Sequence, residues 1–230
     1  MIRENYQKVL DSIEAARARR TRVPQEEPVT LIAVTKNHDV AAMREAIDAG
    51  AHEVGENRIQ EAKGKFEQLD RQVTWHLIGH LQTNKARQAV KYFDLIHSVD
   101  SLHLAEALEK EAEKQGKVQD ILLQVNLARE ESKSGLEQEE LMEVFRQVDS
   151  FGHLRIRGLM CMAPNYEEVE LCRPLFREMY GLYRQVQESS WQRAKVDYLS
   201  MGMSHDYEIA VEEGANIVRV GTAIFGPRQY

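Results

Sequence analysis

Leu31-Ile32-Ala33-Val34-Thr35-Lys36 is a β-rich apolar run that follows a turn at Pro28, ends on a lysine and gives way to a helical pattern. Apolar runs bounded in this way belong to parallel sheets buried on both faces. Lys36 is the position that draws attention. An ammonium at the carboxyl end of a buried strand must reach water, pair with a carboxylate or lose its charge, and a lysine that titrates easily is the usual Schiff-base nucleophile. The bland alternative for this position alone is a surface lysine just past the strand.

Outward from this run, apolar or β-rich stretches alternate with helical ones. The strand candidates are residues 31–36, 52–58, 74–80, 95–99, 121–126, 155–162, 198–202 and 217–226, eight in all. Helical spacing covers 40–49, 59–69, 84–93, 101–115, 137–151, 174–188 and 206–213. Strands alternating with helices make right-handed βαβ units on a parallel sheet, and eight such strands close into a (β/α)8 barrel of the TIM type. A doubly wound open sheet is the rival, but the sequence after the first strand, KNHDV at 36–40, lacks the glycine fingerprint of dinucleotide folds. Ahead of the first strand, Ile2, Tyr6, Val9, Ile13 and Ala16 recur at helical spacing. They predict an amphipathic helix over 2–20 with a solvated Arg-rich end, packed outside the barrel or plugging its bottom. Residues 1–230 hold no repeat, low-complexity tract or linker, so a single α/β domain is expected, with residues 1–27 as N-terminal helix and loop.

Lys and Arg number 30 against 37 Asp and Glu, a net charge of -7. That balance gives no general attraction to nucleic acid or anionic membrane, so any phosphate ligand must be small and held locally. Cys161 and Cys172 form neither a framework nor a CxxC pair, which suits a reducing compartment. The opening MIRENYQKVLDSIEAARARR is charged and amphipathic rather than a signal peptide, and no long uncharged apolar run is present. A cytoplasmic location is expected.

A barrel carries its active site at the carboxyl ends of its strands, and there the sequence collects polar residues and glycines among otherwise apolar strand interiors. Lys36 ends the first run, Glu56-Asn57-Arg58 the second, Gly79-His80 the third, Asn126 the fifth and Met160 to Ala163 the sixth. The densest groups are SMGMSHD at 200–206 and RVGTAIFG at 219–226. In the first, Gly202 permits an unusual backbone angle or a close ligand approach, and Ser204 stands where it would cap a helix from Asp206. With Gly221 and Thr222 beside it, two adjacent loops offer backbone amides and two hydroxyls to one anion, the phosphate site that barrels build after strands seven and eight. Arg219 lies two residues before Gly221, on the same face of its strand. If that face is the lumen, the guanidinium needs a partner, which Glu56 or a ligand ring nitrogen could supply; if it is not, Arg219 reaches helix-side solvent. His76 and His80 lack the helical geometry and the accompanying glutamate of a zinc protease, so no metal is expected. Cys161 reads as core rather than nucleophile. Met160, Met162, Met201 and Met203 read equally as core or as soft packing around a flat ligand.

AVTK, GENRIQEA, WHLIGHLQTNK, SVDS, VN with EESKSG, GLMCMAP and LSMGMSHDYEIAVEEGANIVRVGTAIFG follow one another from 33 to 226. Together they resemble the pyridoxal phosphate homeostasis family, the YggS or PROSC type, over almost the whole chain. The resemblance implies the barrel of the alanine racemase amino-terminal domain, with pyridoxal 5'-phosphate (PLP) held as an internal aldimine. It implies Lys36 as the Schiff-base lysine, Asn57 beside the ring, Ser204, Gly221 and Thr222 around the phosphate, Arg219 against the pyridine nitrogen, and Met203 as a further cofactor-binding residue. Met162, Ser200, Gly202 and His80 are further candidates for contact with the cofactor. An arginine at the ring nitrogen keeps that nitrogen largely unprotonated and weakens the cofactor as an electron sink. The racemases take a second proton donor from another domain, for which no counterpart is evident in this sequence. The expectation is therefore a PLP carrier without robust catalysis, acting on vitamin B6 supply and through it on amino-acid and keto-acid pools. PLP and apo PLP-dependent enzymes are its expected partners, and a monomer or weak dimer its expected state. A racemase of narrow scope is the alternative, and a lysine-dependent aldolase for phosphorylated sugars is a third reading that needs no PLP.

Overall fold

A computed structural model describes residues 1–128 and 134–227. Residues 130–133 of the EESKSG motif lie outside the described residues. Eight parallel strands close a barrel in sequential order: β1 (Thr30–Val34), β2 (Glu53–Glu56), β3 (Thr74–Leu77), β4 (Leu95–Val99), β5 (Gln119–Gln124), β6 (Leu154–Met160), β7 (Tyr198–Ser200) and β8 (Ile217–Val220). Helix α1 (Ile2–Ala18) precedes β1, and α2 (Val40–Asp48), α3 (Ile59–Gln68), α4 (Ala86–Tyr92), α5 (Leu102–Lys114), α6 (Leu141–Asp149), α7 (Arg173–Glu188) and α8 (Tyr207–Glu212) connect successive strands. A short α9 (Thr222–Phe225) follows β8. The (β/α)8 expectation holds, and no helix among the described residues is long and apolar enough to cross a membrane.

Most of the strands are shorter than the apolar runs that announce them, although β4 spans the whole of 95–99 and β5 is shifted to 119–124 at the same length. Residues 78–80, 161–162 and 201–202 lie in loops, and the eighth strand stops at Val220, after which residues 222–225 turn helical. A strand pattern persists past the last ladder bond wherever loop side chains still pack on the rim. Local capping chemistry agrees with the helices. The Asp39 carboxylate accepts from Ala42 N–H at the start of α2, and the Ser101 hydroxyl accepts from Leu104 N–H at the start of α5.

Two apolar layers hold the fold. Ile32, Leu95, Leu122, Met160 and Ile217 meet inside the barrel, joined by Tyr198 and Met162. A larger layer, including Leu31, Ala33, Val54, Ile96, Leu123 and Val218, fills the space between sheet and helices. Neighbouring strand residues thus point to opposite layers, so register decides which polar residues enter the lumen. Strand interiors are more polar than the sequence suggests: His76, His97, Ser98, Gln119 and Gln124 are all buried. On β6 a bulge intervenes, because Ile121 pairs with Ile156 while Leu122 pairs with Gly158. Arg157 is the inserted residue, and Gly158 (φ 149°) lies so close to β7 that a Cβ there would sit 1.8 Å from the Tyr198 carbonyl oxygen.

Helix α1 packs outside the barrel and does not plug its bottom. Its Asn5 side chain donates to the Ile224 carbonyl of α9, and Arg19 pairs with Glu208 and Glu212 of α8. The Arg-rich end is not uniformly solvated. Arg20 is buried, and its guanidinium donates to the carbonyls of Val211, Ala215, Pro24 and Glu27, tying α8 to the loop before β1. Orphan carbonyls at a helix end attract such a donor, and the sequence alone does not show which arginine reaches them.

Candidate functional site

Lys36 lies in the turn after β1, half-buried. The backbone beneath it is held from several sides. Thr35 N–H donates to the Gly55 carbonyl, His38 N–H to the Thr35 carbonyl, and Asn37 N–H to Glu61 Oε1 at 2.6 Å. Asn37 takes φ 62°, the left-handed region that asparagine tolerates better than most residues. Behind this turn Lys65 Nζ donates to the Thr35 carbonyl at 2.7 Å, to Glu56 Oε1 at 2.7 Å and to Glu61 Oε1 at 2.6 Å, while the Thr35 hydroxyl donates to Glu56. Burial pushes the Glu56 carboxyl upward, and the Lys65 ammonium opposes that shift.

Glu56 is therefore not the partner of Arg219, contrary to one expectation. Gly55, its neighbour, has Ile32 of the lumen cluster next to it, so Glu56 points the other way, toward α3. Arg219 shares a face with Ile217 and Gly221 on the lumen side and is 3% exposed. Its NH1 donates to Ser200 Oγ at 2.5 Å and its NH2 to the Cys161 carbonyl at 3.1 Å. The reading in which Arg219 reaches helix-side solvent is overturned. Burial lowers its affinity for the proton, yet an arginine has ample margin to stay charged.

The β7 and β8 loops meet above Arg219. Ser204 does not cap α8, which begins at Tyr207. Instead its hydroxyl oxygen accepts from Gly221 N–H at 3.2 Å and Ala223 N–H at 3.4 Å. The amides expected to be open to an anion are thus engaged by the very hydroxyl expected beside them. Asp206 accepts from Met203 N–H at 2.6 Å and fixes the bend that presents Ser204. Gly202 has φ 101°, and the space of its missing Cβ is taken by Ala210 at 2.7 Å, so backbone angle and helix packing both require glycine there. Thr222, exposed, opens α9, and Gly221 approaches Val34 so closely that a Cβ would lie 3.3 Å from its carbonyl oxygen.

The remaining candidates divide. Asn57 is half-buried at the end of β2, with Gly79 packed against its backbone. Met162 joins the lumen cluster and Met203 is exposed at the mouth, whereas Met160 lies deep in the lumen and Met201 in the outer layer. The four methionines therefore split between core and rim. His80 is exposed, with Nδ1 3.1 Å from Ser134 Oγ and 3.4 Å from Asp100 Oδ2. His76 is buried in the barrel, so the two histidines do not converge. Cys161 is buried in the core, its thiol pushed up to about 12 by desolvation.

Sequence reading missed a group beneath Arg219. Ser200 Oγ also contacts His97 Nδ1 at 2.9 Å, His97 Nε2 contacts His76 Nδ1 at 2.9 Å, and His76 Nε2 contacts Glu53 Oε2 at 2.6 Å. The signal was present, since His97 interrupts the apolar run LIHSV as Arg219 interrupts IVRV.

Residues 10–229 match the family of the alanine racemase N-terminal domain, which defines the class of barrel to which the fold belongs. Over 228 residues the chain is 40% identical to the pyridoxal phosphate homeostasis protein of Aquifex aeolicus, covering 99% of this chain and 98% of that protein. The protein of the same name from Escherichia coli is 39% identical over 237 residues, covering 100% of this chain and 97% of its own. Among solved structures, PipY of Synechococcus elongatus with PLP bound superposes with a TM-score of 0.85 at 39% identity, over 98% of this chain and 100% of that one. The chain belongs to the pyridoxal phosphate homeostasis protein family.

Proposed function

We propose that the protein binds PLP at the carboxyl mouth of the barrel and serves intracellular PLP homeostasis. The donor set at the mouth fits that molecule end by end. Lys36 supplies an amine for the aldehyde, held there as an imine. Arg219 supplies a cation that favours an unprotonated pyridine nitrogen, with Ser200 fixing its NH1. Ser204, Gly221, Thr222 and the loop at Gly202 and Met203 surround the phosphate, while Asn57, Met162 and His80 border the ring side. The observation that carries this reading is Arg219: a guanidinium buried in the lumen, below two loops whose hydroxyl and amides meet at Ser204. A buried cation aimed at the floor of a barrel mouth costs desolvation energy that a ligand's ring nitrogen and phosphate help offset. The PLP bound to PipY supports PLP as the ligand.

Bound PLP supplies an electrophilic carbonyl and an aromatic electron sink. The protein's own residues hold it reversibly, which suits storage and delivery to apo PLP-dependent enzymes and an influence on amino-acid and keto-acid pools. The test is the absorption spectrum of the purified protein, followed by borohydride reduction and peptide mapping. A yellow protein that bleaches and carries the label on Lys36 alone is expected. A colourless protein would favour the sugar-phosphate aldolase reading, and label on another lysine would overturn the assignment of Lys36.

A further inference from the structure

A continuous hydrogen-bonded chain runs down the barrel axis from Arg219 to the opposite end. Its members come from five strands: Arg219 of β8, Ser200 of β7, His97 of β4, and His76 of β3 with Glu53 of β2 at the far end. His97 is fully buried and His76 nearly so, while the Glu53 side chain is 29% exposed. Glu53 and His76 line a cavity of about 200 Å³ at the amino-terminal end of the barrel, together with Asp94, Asp120, Arg157 and Tyr198. Of these charged neighbours, Asp94 accepts from Trp75 N–H and Arg157 is shared between Asp120 and Asp197. Those groups have partners of their own, and Glu53 is the acceptor for His76.

The direction of every proton follows from the two ends. An arginine can only donate and a carboxylate can only accept, so Ser200 Oγ accepts from Arg219 while Glu53 accepts from His76 Nε2. The hydrogen of Ser200 has His97 Nδ1 within reach as its acceptor. Burial holds His97 neutral, its affinity for a second proton lowered further by His76 and Arg219. Its single N–H is then on Nε2 and donates to His76 Nδ1. His76 in turn carries its hydrogen on Nε2 and donates to the Glu53 carboxylate. Each donor points away from Arg219 and toward Glu53, and aligned hydrogen bonds in a low-dielectric interior polarise one another.

We infer that Ser200, His97, His76 and Glu53 form a one-way relay of positioning residues that locks the Arg219 guanidinium in a single orientation, from the face of the barrel opposite the proposed PLP site. The functional part of this inference rests on the proposed PLP reading; the order of protons does not. Reversing the relay requires a donor in place of Glu53. It would put hydrogens on His76 Nδ1 and His97 Nδ1, turn two donors onto Ser200 Oγ, and leave the serine hydrogen to find a new acceptor beside Arg219.

The test is ring nitrogen-15 NMR of the histidines in cofactor-free protein at pH 8, comparing wild type, Glu53→Gln and Glu53→Lys. In wild type His97 and His76 are expected as neutral Nε2–H tautomers. Glu53→Gln, whose amide oxygen still accepts, is expected to leave both tautomers unchanged. Glu53→Lys, a donor only, is expected to convert both to Nδ1–H, with His97 lying two residues away from the substitution in the chain of bonds. Nδ1–H on His97 in the wild type, or a His97 tautomer indifferent to Glu53→Lys, would overturn the relay. A structural role for Glu53 would change stability without exchanging the two ring nitrogens. Loading wild type and Glu53→Lys with PLP then tests the link to the site. A shifted visible band in Glu53→Lys supports it, whereas flipped tautomers with an unshifted band would retain the relay and refute its action on the ring. Failure of wild type to bind PLP at all would refute the proposed function and leave the NMR result standing.

Discussion

The Lys65 ammonium donates to the carbonyl of Thr35 and to Glu56 Oε1, each at 2.7 Å, so the residue before Lys36 hangs from a buried ion pair. Glu56 is 0% exposed and Lys65 only 6%. Removing one partner of such a pair strands the other charge in the interior. Lys65→Met is expected to cost about 3–5 kcal/mol of stability, with Glu56→Gln in the same chain restoring part of it. Urea unfolding of the two variants checks this. A wild-type midpoint for Lys65→Met would mean that the pair is solvated and the Thr35 backbone is held by other bonds.

Cys161 is expected to be inert in the folded protein. Desolvation raises its thiol to about 12, although Arg219 nearby pulls the other way. The thiolate is the reactive species, so at pH 8 little of it exists. Cys172 is also buried. Maleimide labelling should therefore proceed at the rate of unfolding for both cysteines. Labelling of Cys161 at the speed of an exposed thiol would show that water reaches the wall behind Arg219.

Much of this was legible before any coordinates. The eight apolar runs and the polar residues at their ends give the barrel and the mouth, because period and punctuation are local properties. Arg219 was readable as sharing a face with Gly221 from their spacing, but whether that face is the lumen or the helix side was left to the structure. Glu56 was not readable as a helix-facing residue, since Glu53 and Glu56 lie on one four-residue strand and only the pairing of Val34 with Gly55 settles which turns inward. The relay was hidden for the same reason: joining His76, His97 and Ser200 requires the stagger of β3, β4 and β7, which no single segment encodes. The bulge at Arg157 adds a second obstacle, because it reverses the inward and outward alternation within β6. Arg20 was misjudged because an arginine at a helix end is usually solvated, and only the approach of the α8 carbonyls buries it.

Lys36→Ala is expected to abolish the borohydride-fixed label while leaving measurable PLP binding. The proposed phosphate contacts would lie across the mouth on the β7 and β8 loops and would not depend on the imine. Hydrogen bonds to a charged group contribute about 1.5–3 kcal/mol each, so two or three of them hold PLP weakly without a covalent bond. Equilibrium dialysis of the variant against PLP decides the matter. Loss of all binding would place most of the affinity in the imine, and an undiminished label would remove Lys36 from the site.

Ser204→Ala and Thr222→Ala are each expected to weaken PLP far more than pyridoxal, which lacks the phosphate. Ser204 Oγ accepts from the Gly221 and Ala223 N–H groups at 3.2 and 3.4 Å, long bonds that a stronger acceptor can displace. A phosphate entering between the loops would take those amides and receive the Ser204 hydroxyl as a donor. Thr222, exposed at the first position of α9, offers a second hydroxyl on the same side. Losing one such bond to a charged group costs about 1.5–3 kcal/mol, a tenfold to hundredfold fall in affinity. Ser204→Ala leaves the two amides in place, so its loss should fall at the lower end of that range. Titrating both ligands into both variants separates the cases. Equal losses for PLP and pyridoxal would show that these residues serve the fold or the ring, and the phosphate would have to be sought away from the β7 and β8 loops.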